Sequence, residues 1–525
     1  VAGFRDSGGA VNKLYLFGLI AFIVLLIASI NYMNLATAKA SSRAKEVGIR
    51  KVTGAKKSQL MGQFLTESTL QSILALGIAI VLAGLFLPIF NQITNRNLNL
   101  LGGNLQVMIF PLLLLSILIG LLAGIYPAFF LTQFKPIKVL KGNLLRTTSE
   151  GQFFRKALVV TQFSMSVILI IIVIFINKQV HFMQSQELGF DDHQVMTIAT
   201  NKRDSWKKME QRSNSFESIN GVKSIAFSNN LPGKENSKYG IEIVGKEIKQ
   251  SPDILFTSEN FDKSLGLVVK EGRFFSTDYA TDKQEAYIVN EKFIKEYDIK
   301  SPIGQEVKLM RDDHFGRIIG VVKDFHFTGL QDEINPMMMT ARRNLANYNY
   351  VIFKLASTHL PATIAAIKKE WAKIEPTHPV RYSFLDEKFA AQYEENEKFG
   401  YTMTSATILA IFIAMMGLFG LASFMTEQRT KEIGVRKVLG ASILNLTNLL
   451  VKDFIQLVLI AGFIAVPFGY LLVKKWLEGY AYTTTINAMP FILAIIAVLA
   501  LAILTVSYQS IKVSTENPIK ALKVD

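Results

Sequence analysis

"RAKEVGIRKVTGA" occupies residues 43–55, and "RTKEIGVRKVLGA" occupies residues 429–441. Aligned at an offset of 386, the two stretches share 9 of 13 residues, whereas unrelated stretches of ordinary composition share about one. Each directly follows a long apolar run. The repeat is therefore an internal duplication of a membrane-exit segment, and the chain is expected to contain two related membrane halves.

Half of the 525 residues are hydrophobic and only 19% are charged, the balance of a membrane protein. Seven stretches, near 14–38, 69–90, 107–131, 157–177, 402–425, 454–473 and 488–511, contain no Asp, Glu, Lys, Arg or His. Each reaches the roughly 20 residues needed to cross a hydrocarbon core of about 30 Å. A buried helix of a soluble protein keeps a polar face, and "ALVVTQFSMSVILIIIVIFI" at 157–176 keeps none. The first stretch is too long for a signal peptide and lacks both a basic leader and a small-residue cleavage site. The expected fold is an α-helical integral membrane protein with seven transmembrane helices in this chain.

The net charge of +15 does not mark a nucleic-acid surface. Residues 191–400 carry 30 Lys+Arg against 31 Asp+Glu, so the excess falls on short loops between spans. Lys39, Arg43, Lys45, Arg50, Lys51, Lys56 and Lys57 follow the first span, and Lys135, Lys138, Lys141, Arg146, Arg155 and Lys156 lie between the third and fourth. Arg429, Lys431, Arg436 and Lys437 follow the fifth span, and Lys512, Lys520 and Lys523 follow the seventh. By the positive-inside rule these four segments are cytoplasmic, and the large segment 178–400 lies outside. The absence of cysteine excludes disulfides, thiolate metal sites and cysteine nucleophiles.

The duplication continues past the motif: "KPIKVLKG" at 135–142 matches "NPIKALKV" at 517–524. The second half also has a span ahead of its outer domain, at 157–177, with no counterpart in the first. With Val1 in place of an initiator methionine, a missing span and a missing first outer domain are expected upstream. Helical spacing at 177–190 and 387–400 predicts a stalk. Between these segments, β-like runs ("QVMTIAT", "YGIEIVG", "EAYIVN", "GRIIGVV", "YVIFKL") alternate with helical ones ("SWKKMEQRSNSFESI", "LPATIAAIKKEWAKI"), which predicts an α+β domain.

In each motif Gly54 or Gly440 stands where positive φ closes a helix, and Arg50, Lys51, Arg436 and Lys437 suit the negative end of the helix dipole. A short surface helix is expected after each turn, near 56–66 and 442–452. Its apolar face would be formed by Leu60, Met61, Phe64 and Leu65 in one half and by Ile443, Leu446, Leu449 and Leu450 in the other. Anchoring to anionic lipid explains the cations. It does not require that Lys45/Lys431, Glu46/Glu432 and Gly48/Gly434 recur as well, so a specific contact is the better account.

At these residues the chain resembles an ABC-transporter permease of the MacB/FtsX superfamily, in its duplicated two-permease-domain form. The "KExGxRKxxGA" turn and the Pro-Ile-Lys tail carry the resemblance. Outside the membrane, "EGRFF", "YIVNEKFIKEYDIKSPIGQ" and "IIGVVKDFHFTGLQDEINPMMM" resemble the extracytoplasmic core domain of the MacB-like periplasmic type. The resemblance implies the end of a first extracytoplasmic segment at 1–13, a first FtsX-like permease domain at 14–145 and a fourth span at 146–177. It further implies the core domain with its stalk at 178–400 and a second FtsX-like domain at 401–525. It also implies a multi-pass protein of a bacterial inner membrane with a cytoplasmic C-terminus. The partners it implies are two cytoplasmic ABC ATPase subunits, the lipid bilayer, and an extracytoplasmic adaptor or substrate protein, with no nucleic acid. The ATPase-coupling elbow would comprise Lys45, Glu46, Gly48, Arg50, Lys51, Gly54, Leu60 and Phe64 in one half. In the other it would comprise Lys431, Glu432, Gly434, Arg436, Lys437, Gly440, Leu446 and Leu450. The implied function is mechanotransmission for efflux or release of a drug, peptide or lipoprotein. The alternative is a signalling complex that controls an extracytoplasmic hydrolase or senses envelope stress.

No G-x-x-x-x-G-K-[ST] occurs, so the chain has no P-loop of its own, and ATP and magnesium are expected in the partner. An ion-coupled transporter places ionisable groups inside its spans, and these spans carry none. Asp191-Asp192-His193, Asp312-Asp313-His314 and Asp324-x-His326 could supply metal ligands. They lack a fourth clustered ligand, H-E-x-x-H is absent, and they are expected to be solvated loop residues. No enzymatic activity is expected of this chain.

Overall fold

No proline and no charge interrupts residues 14–37, and the helix that begins there does not stop at the membrane edge. In the computed structural model it runs unbroken from Ser7 to Val52 (α1, Ser7–Val52), through the basic motif. The structure describes residues 7–94, 97–99, 105–132, 149–200, 205–246, 248, 250–310, 312, 314–329, 332–342, 348–376, 380–428 and 430–515. Both Pro-Ile-Lys tails lie outside them. The chain forms two compact units: residues 1–178, 397–479 and 485–525 in one, and 179–396 with 480–484 in the other.

The first unit holds the membrane helices. After α1 come α2 (Lys57–Thr94), α3 (Leu105–Thr132), α4 (Ser149–Ser185), α5 (Leu385–Gln428), α6 (Thr430–Val438), α7 (Ile443–Leu477) and α8 (Met489–Thr515). Among the described residues seven helices are long and apolar enough to cross a membrane, as the sequence predicts. The expected short surface helices are not separate elements. Residues 57–66 are the first turns of α2, and 443–452 the first turns of α7. Between Lys57 and Pro88 only Gly62, Gly77 and Gly84 weaken a helix, and a glycine costs only about 1 kcal/mol against alanine.

Hydrophobic burial does not drive helix association in lipid, so close backbone approach and polar contacts must. Helices α2 and α3 meet that way. Gly120 and Gly124 of α3 lie so near Ser68 and Thr69 that a Cβ at either would collide, and Ser72 Oγ donates to the Ser116 carbonyl at 2.8 Å. In the second half, Val458, Ala461 and Ala465 of α7 pack in one cluster with Ala494, Val498 and Ala502 of α8 and with Val167 and Ile171 of α4. The spans also bury amides: Asn31, Asn34 and Gln162 are all under 8% exposed. The absence of ionisable groups from the spans thus does not make the helix interfaces nonpolar.

The second unit is α+β. A four-stranded antiparallel sheet has strand order β11-β1-β10-β2, from β1 (Val195–Ala199), β2 (Val222–Ser228), β10 (Tyr350–Leu355) and β11 (Tyr382–Phe384). A mixed sheet has order β3-β7-β8-β6-β9-β4. Its strands are β3 (Ile241–Ile243), β4 (Asp253–Phe256), β6 (Ala286–Asn290), β7 (Glu306–Leu309), β8 (Gly316–Val322) and β9 (Met337–Thr340), with β5 (Val269–Gly272) paired to β8. All five predicted β-like runs contain a strand. The run 205–219 forms two short helices, Ser205–Gln211 and Ser213–Glu217. One core spans both sheets and holds Trp371, Phe216, Phe353, Tyr287 and Met338. The "MMM" run is β9, whose three methionines are buried.

The motif "EGRFF" has a structural explanation here. Gly272 takes φ +71, and a Cβ there would overlap the Ile319 carbonyl across the β5–β8 pairing. Arg273 holds the buried Asp282 carboxylate with two hydrogen bonds, at 2.5 and 2.8 Å. Phe274 and Phe275 enter the core.

Candidate functional site

Both basic motifs close with the same set of hydrogen bonds. In the first, Gly54 N–H donates to the Lys51 carbonyl at 3.2 Å and Ala55 N–H to the Arg50 carbonyl at 2.9 Å. In the second, Gly440 N–H donates to Lys437 and Ala441 N–H to Arg436, both at 3.0 Å. This is the two-bond Schellman cap, with Gly54 at φ +99 and Gly440 at φ +90. A side chain at either glycine would strain the turn, which is why glycine recurs 386 positions later.

The glutamate has a partner in both copies. Glu46 pairs with Arg50, and Glu432 with Arg436, each at 2.7 Å with i,i+4 spacing and roughly half-exposed side chains. Such a pair contributes only about 0.3–0.5 kcal/mol to a helix, but it fixes where the guanidinium points. Val47 and Ile433, which are counterparts, are buried next to these pairs, and Gly48 is buried beside Val47. Lys51 reaches back to the carbonyl of Thr132 at 2.5 Å, at the end of α3. It therefore caps a neighbouring helix. The side chains of Lys45 and Lys431, and the surroundings of Gly434, lie outside the description.

Most of the apolar ridge expected on the helix after each turn faces inward, and of its residues only Ile443 and Leu449 are exposed. Leu60 and Leu446 are buried, as is Leu450, whose counterpart Phe64 is half-buried. These residues pack into the bundle. The reason is the continuity of α2 and α7: a helix running straight into a span turns its apolar stripe toward its neighbours. The apolar residues exposed at the elbows are Ile49 and Val52 in one half and Val435, Leu439, Ile443, Leu444 and Leu449 in the other. Ile49 and Val435 are counterparts, one residue before the paired arginines. Their recurrence beside Arg50 and Arg436 is a signal that sequence reasoning passed over.

The elbows also differ. Arg50 donates to Gln63 of α2 at 2.8 Å, which braces the first turn, and the counterpart of Gln63 is Leu449. The second elbow instead caps α7 with Ser442, whose hydroxyl accepts from Asn445 N–H at 3.2 Å.

In the outer unit the three Asp/His motifs have structural roles. Asp191 accepts the His193 N–H at 3.0 Å and pairs with Lys354 at 2.6 Å, and the lysine holds its carboxyl below the usual range despite partial burial. Asp312 pairs with Arg342. Asp324 accepts the Lys292 N–H at 2.8 Å, and burial raises its pKa. Asp313 lies outside the described residues. Among the described residues no three His, Cys, Asp or Glu side chains lie close enough together to hold a metal ion.

Family comparisons match these elements. The family described as "FtsX-like permease C-terminal" matches residues 18–136 and again 404–518, and "MacB-like periplasmic core domain" matches 164–370. A macrolide export ATP-binding/permease protein MacB of Bdellovibrio bacteriovorus is 24% identical over 271 residues, 48% of this chain and 41% of its own length. A MacB 2 of Yersinia pestis bv. Antiqua is 33% identical over 129 residues, 24% of this chain. The chain thus spans 41% and 18% of the lengths of these two relatives. Among solved structures, the periplasmic region of MacB from Actinobacillus actinomycetemcomitans is 13% identical and covers 38% of this chain and 94% of its own, with a TM-score of 0.30.

Proposed function

This chain belongs to the MacB/FtsX superfamily of ABC-transporter permeases, and from that premise we propose that it couples ATP hydrolysis by a separate cytoplasmic ATPase pair to motion of its outer domain. The two elbows receive the ATPase subunits, one each. Glu46, Ile49 and Arg50 are the contact surface in the first half, and Glu432, Val435 and Arg436 in the second. Gly54 and Gly440 set the turn, while Leu60, Phe64, Leu446 and Leu450 seat the following helix in the bundle. In this proposal the motif lies on the cytoplasmic side of an inner membrane, and a drug, peptide or lipoprotein is moved or released on the far side. ATP and magnesium are bound by the partner.

The observation that supports this most is the recurrence, at counterpart positions, of the Glu–Arg pair on the outward side of a turn closed by identical bonds. Lipid anchoring needs the cations and has no use for the carboxylates. The test is ATPase stimulation by wild-type and Glu46→Lys/Glu432→Lys permease in the same membranes at matched expression. Lost stimulation with normal insertion is expected. Unchanged stimulation would reduce the motif to a lipid anchor.

A further inference from the structure

Asn31 and Gly417 are separated by the offset of the duplication, 386 positions, so each is the counterpart of the other. They are also in contact. Asn31 of α1 donates Nδ2 to the Ile413 carbonyl of α5 at 2.5 Å, and a Cβ built on Gly417 would fall on the Asn31 amide. The next turn repeats the relation reciprocally. Leu35 lies against Gly420, the counterpart of Asn34, and Asn34 lines one small cleft with Leu421, the counterpart of Leu35. A residue that touches its own equivalent, flanked by pairs i–j and j–i, is the signature of a two-fold interface.

We propose that α1 and α5 cross on the local two-fold axis of the duplication, and that Asn31 against Gly417 is a one-sided lock that fits the first half to the second half of the same chain. The lock works by shape and by one hydrogen bond. On the axis any two identical halves must place identical residues against each other. Two asparagines collide there, since even a single methyl group at position 417 meets the amide, and two glycines leave a void with no donor for the facing carbonyl. Asparagine against glycine fills the crossing once. The favoured partner of α1 is therefore α5 of its own chain, and a second copy of α1 is disfavoured. Gln162 of α4 donates to the Ala414 carbonyl at 2.9 Å, so the turn of α5 that includes Gly417 is held from a second side as well.

Symmetry supplies a sharp test. If the crossing lies on the axis, exchanging the two residues should restore it, because an asparagine at 417 then faces the Ile27 carbonyl, the counterpart of Ile413. Four full-length proteins are compared in detergent by thermal midpoint: wild type, Asn31→Gly, Gly417→Asn, and the double exchange. Gly417→Asn alone is expected to lose the most and the double exchange to recover most of that loss. A double exchange no better than Gly417→Asn alone overturns the axis. Because the chain has no cysteine, a second measurement needs no background substitutions. Asn31→Cys with Gly417→Cys should close a disulfide within one chain in membranes, and Asn31→Cys alone should give no dimer. A disulfide-linked dimer of the single variant overturns the lock.

Discussion

Gln179 accepts the backbone N–H of Thr484 at 2.8 Å, across 305 positions of sequence. Its Nε2 donates to the Tyr482 carbonyl at 2.8 Å, and the side chain is fully buried. Residues 480–484 connect α7 to α8, yet they belong to the outer unit. Gln179→Leu removes both bonds and leaves buried groups without partners, a loss of about 1–3 kcal/mol. Hydrogen exchange at the Thr484 amide should therefore accelerate about 10–100-fold. Unchanged exchange would mean that the loop is held by something other than this amide.

A pH dependence should appear at the same place. The His326 ring packs edge-on against Tyr482 at 4.9 Å, and burial lowers its pKa from the ordinary 6.5. The folded state favours the neutral ring. The stability this contributes is fully present above pH 6.5 and is lost as pH falls through the depressed folded-state value. Protection at Thr484, taken relative to the intrinsic exchange rate at each pH, should fall on acidification below 6.5, and His326→Phe should flatten that profile.

The Arg273–Asp282 pair predicts a loss in the mixed sheet. Asp282 is 1% exposed and also accepts the Ser276 N–H at 3.0 Å. Asp282→Ala removes the acceptor of these bonds while water can still reach the guanidinium, which is 35% exposed, at a cost of about 1.5–3 kcal/mol. Gly272→Ala should also destabilise, through its positive φ and the Ile319 carbonyl. Thermal unfolding followed by the buried Trp371, with Trp206 and Trp476 replaced by Phe, reads both variants.

Sidedness can be tested on the same cysteine-free background. Val52 and Lys234 are both exposed. A membrane-impermeant maleimide added to intact cells should label Lys234→Cys and spare Val52→Cys until the membrane is opened. The reverse pattern would invert the topology.

The spans were legible because an uncharged run of 20 or more residues has few other uses, and the elbows because the duplication printed them twice. The direction of the apolar ridge was not legible. Leu60 and Leu446 read as an outward face only if the helix stops before the span, and no residue in the sequence marks whether it does. Asn31, Asn34 and Gln162 carry no charge and so do not interrupt an apolar run, yet in lipid a neutral amide suffices to hold a helix crossing. The short strands β4, β9 and β11 lack alternation: β4 and β9 are buried throughout, and β11 has only three residues. The Gln179 bonds are invisible to periodicity, since they join positions 305 and 303 apart.

The continuity of α1 makes it a lever. From the crossing at Asn31 to Arg50 is 19 residues of one helix, an arm of about 28 Å. A tilt of about 10° about that fulcrum sweeps Arg50 through about 5 Å, close to one helical pitch. From Gly417 to Arg436 is also 19 residues, there divided between α5 and α6, so under the proposed coupling the two elbows stand at arms of equal length in residues. A displacement imposed on both arginines at once would then turn the halves about one shared fulcrum, like the two blades of a pair of shears.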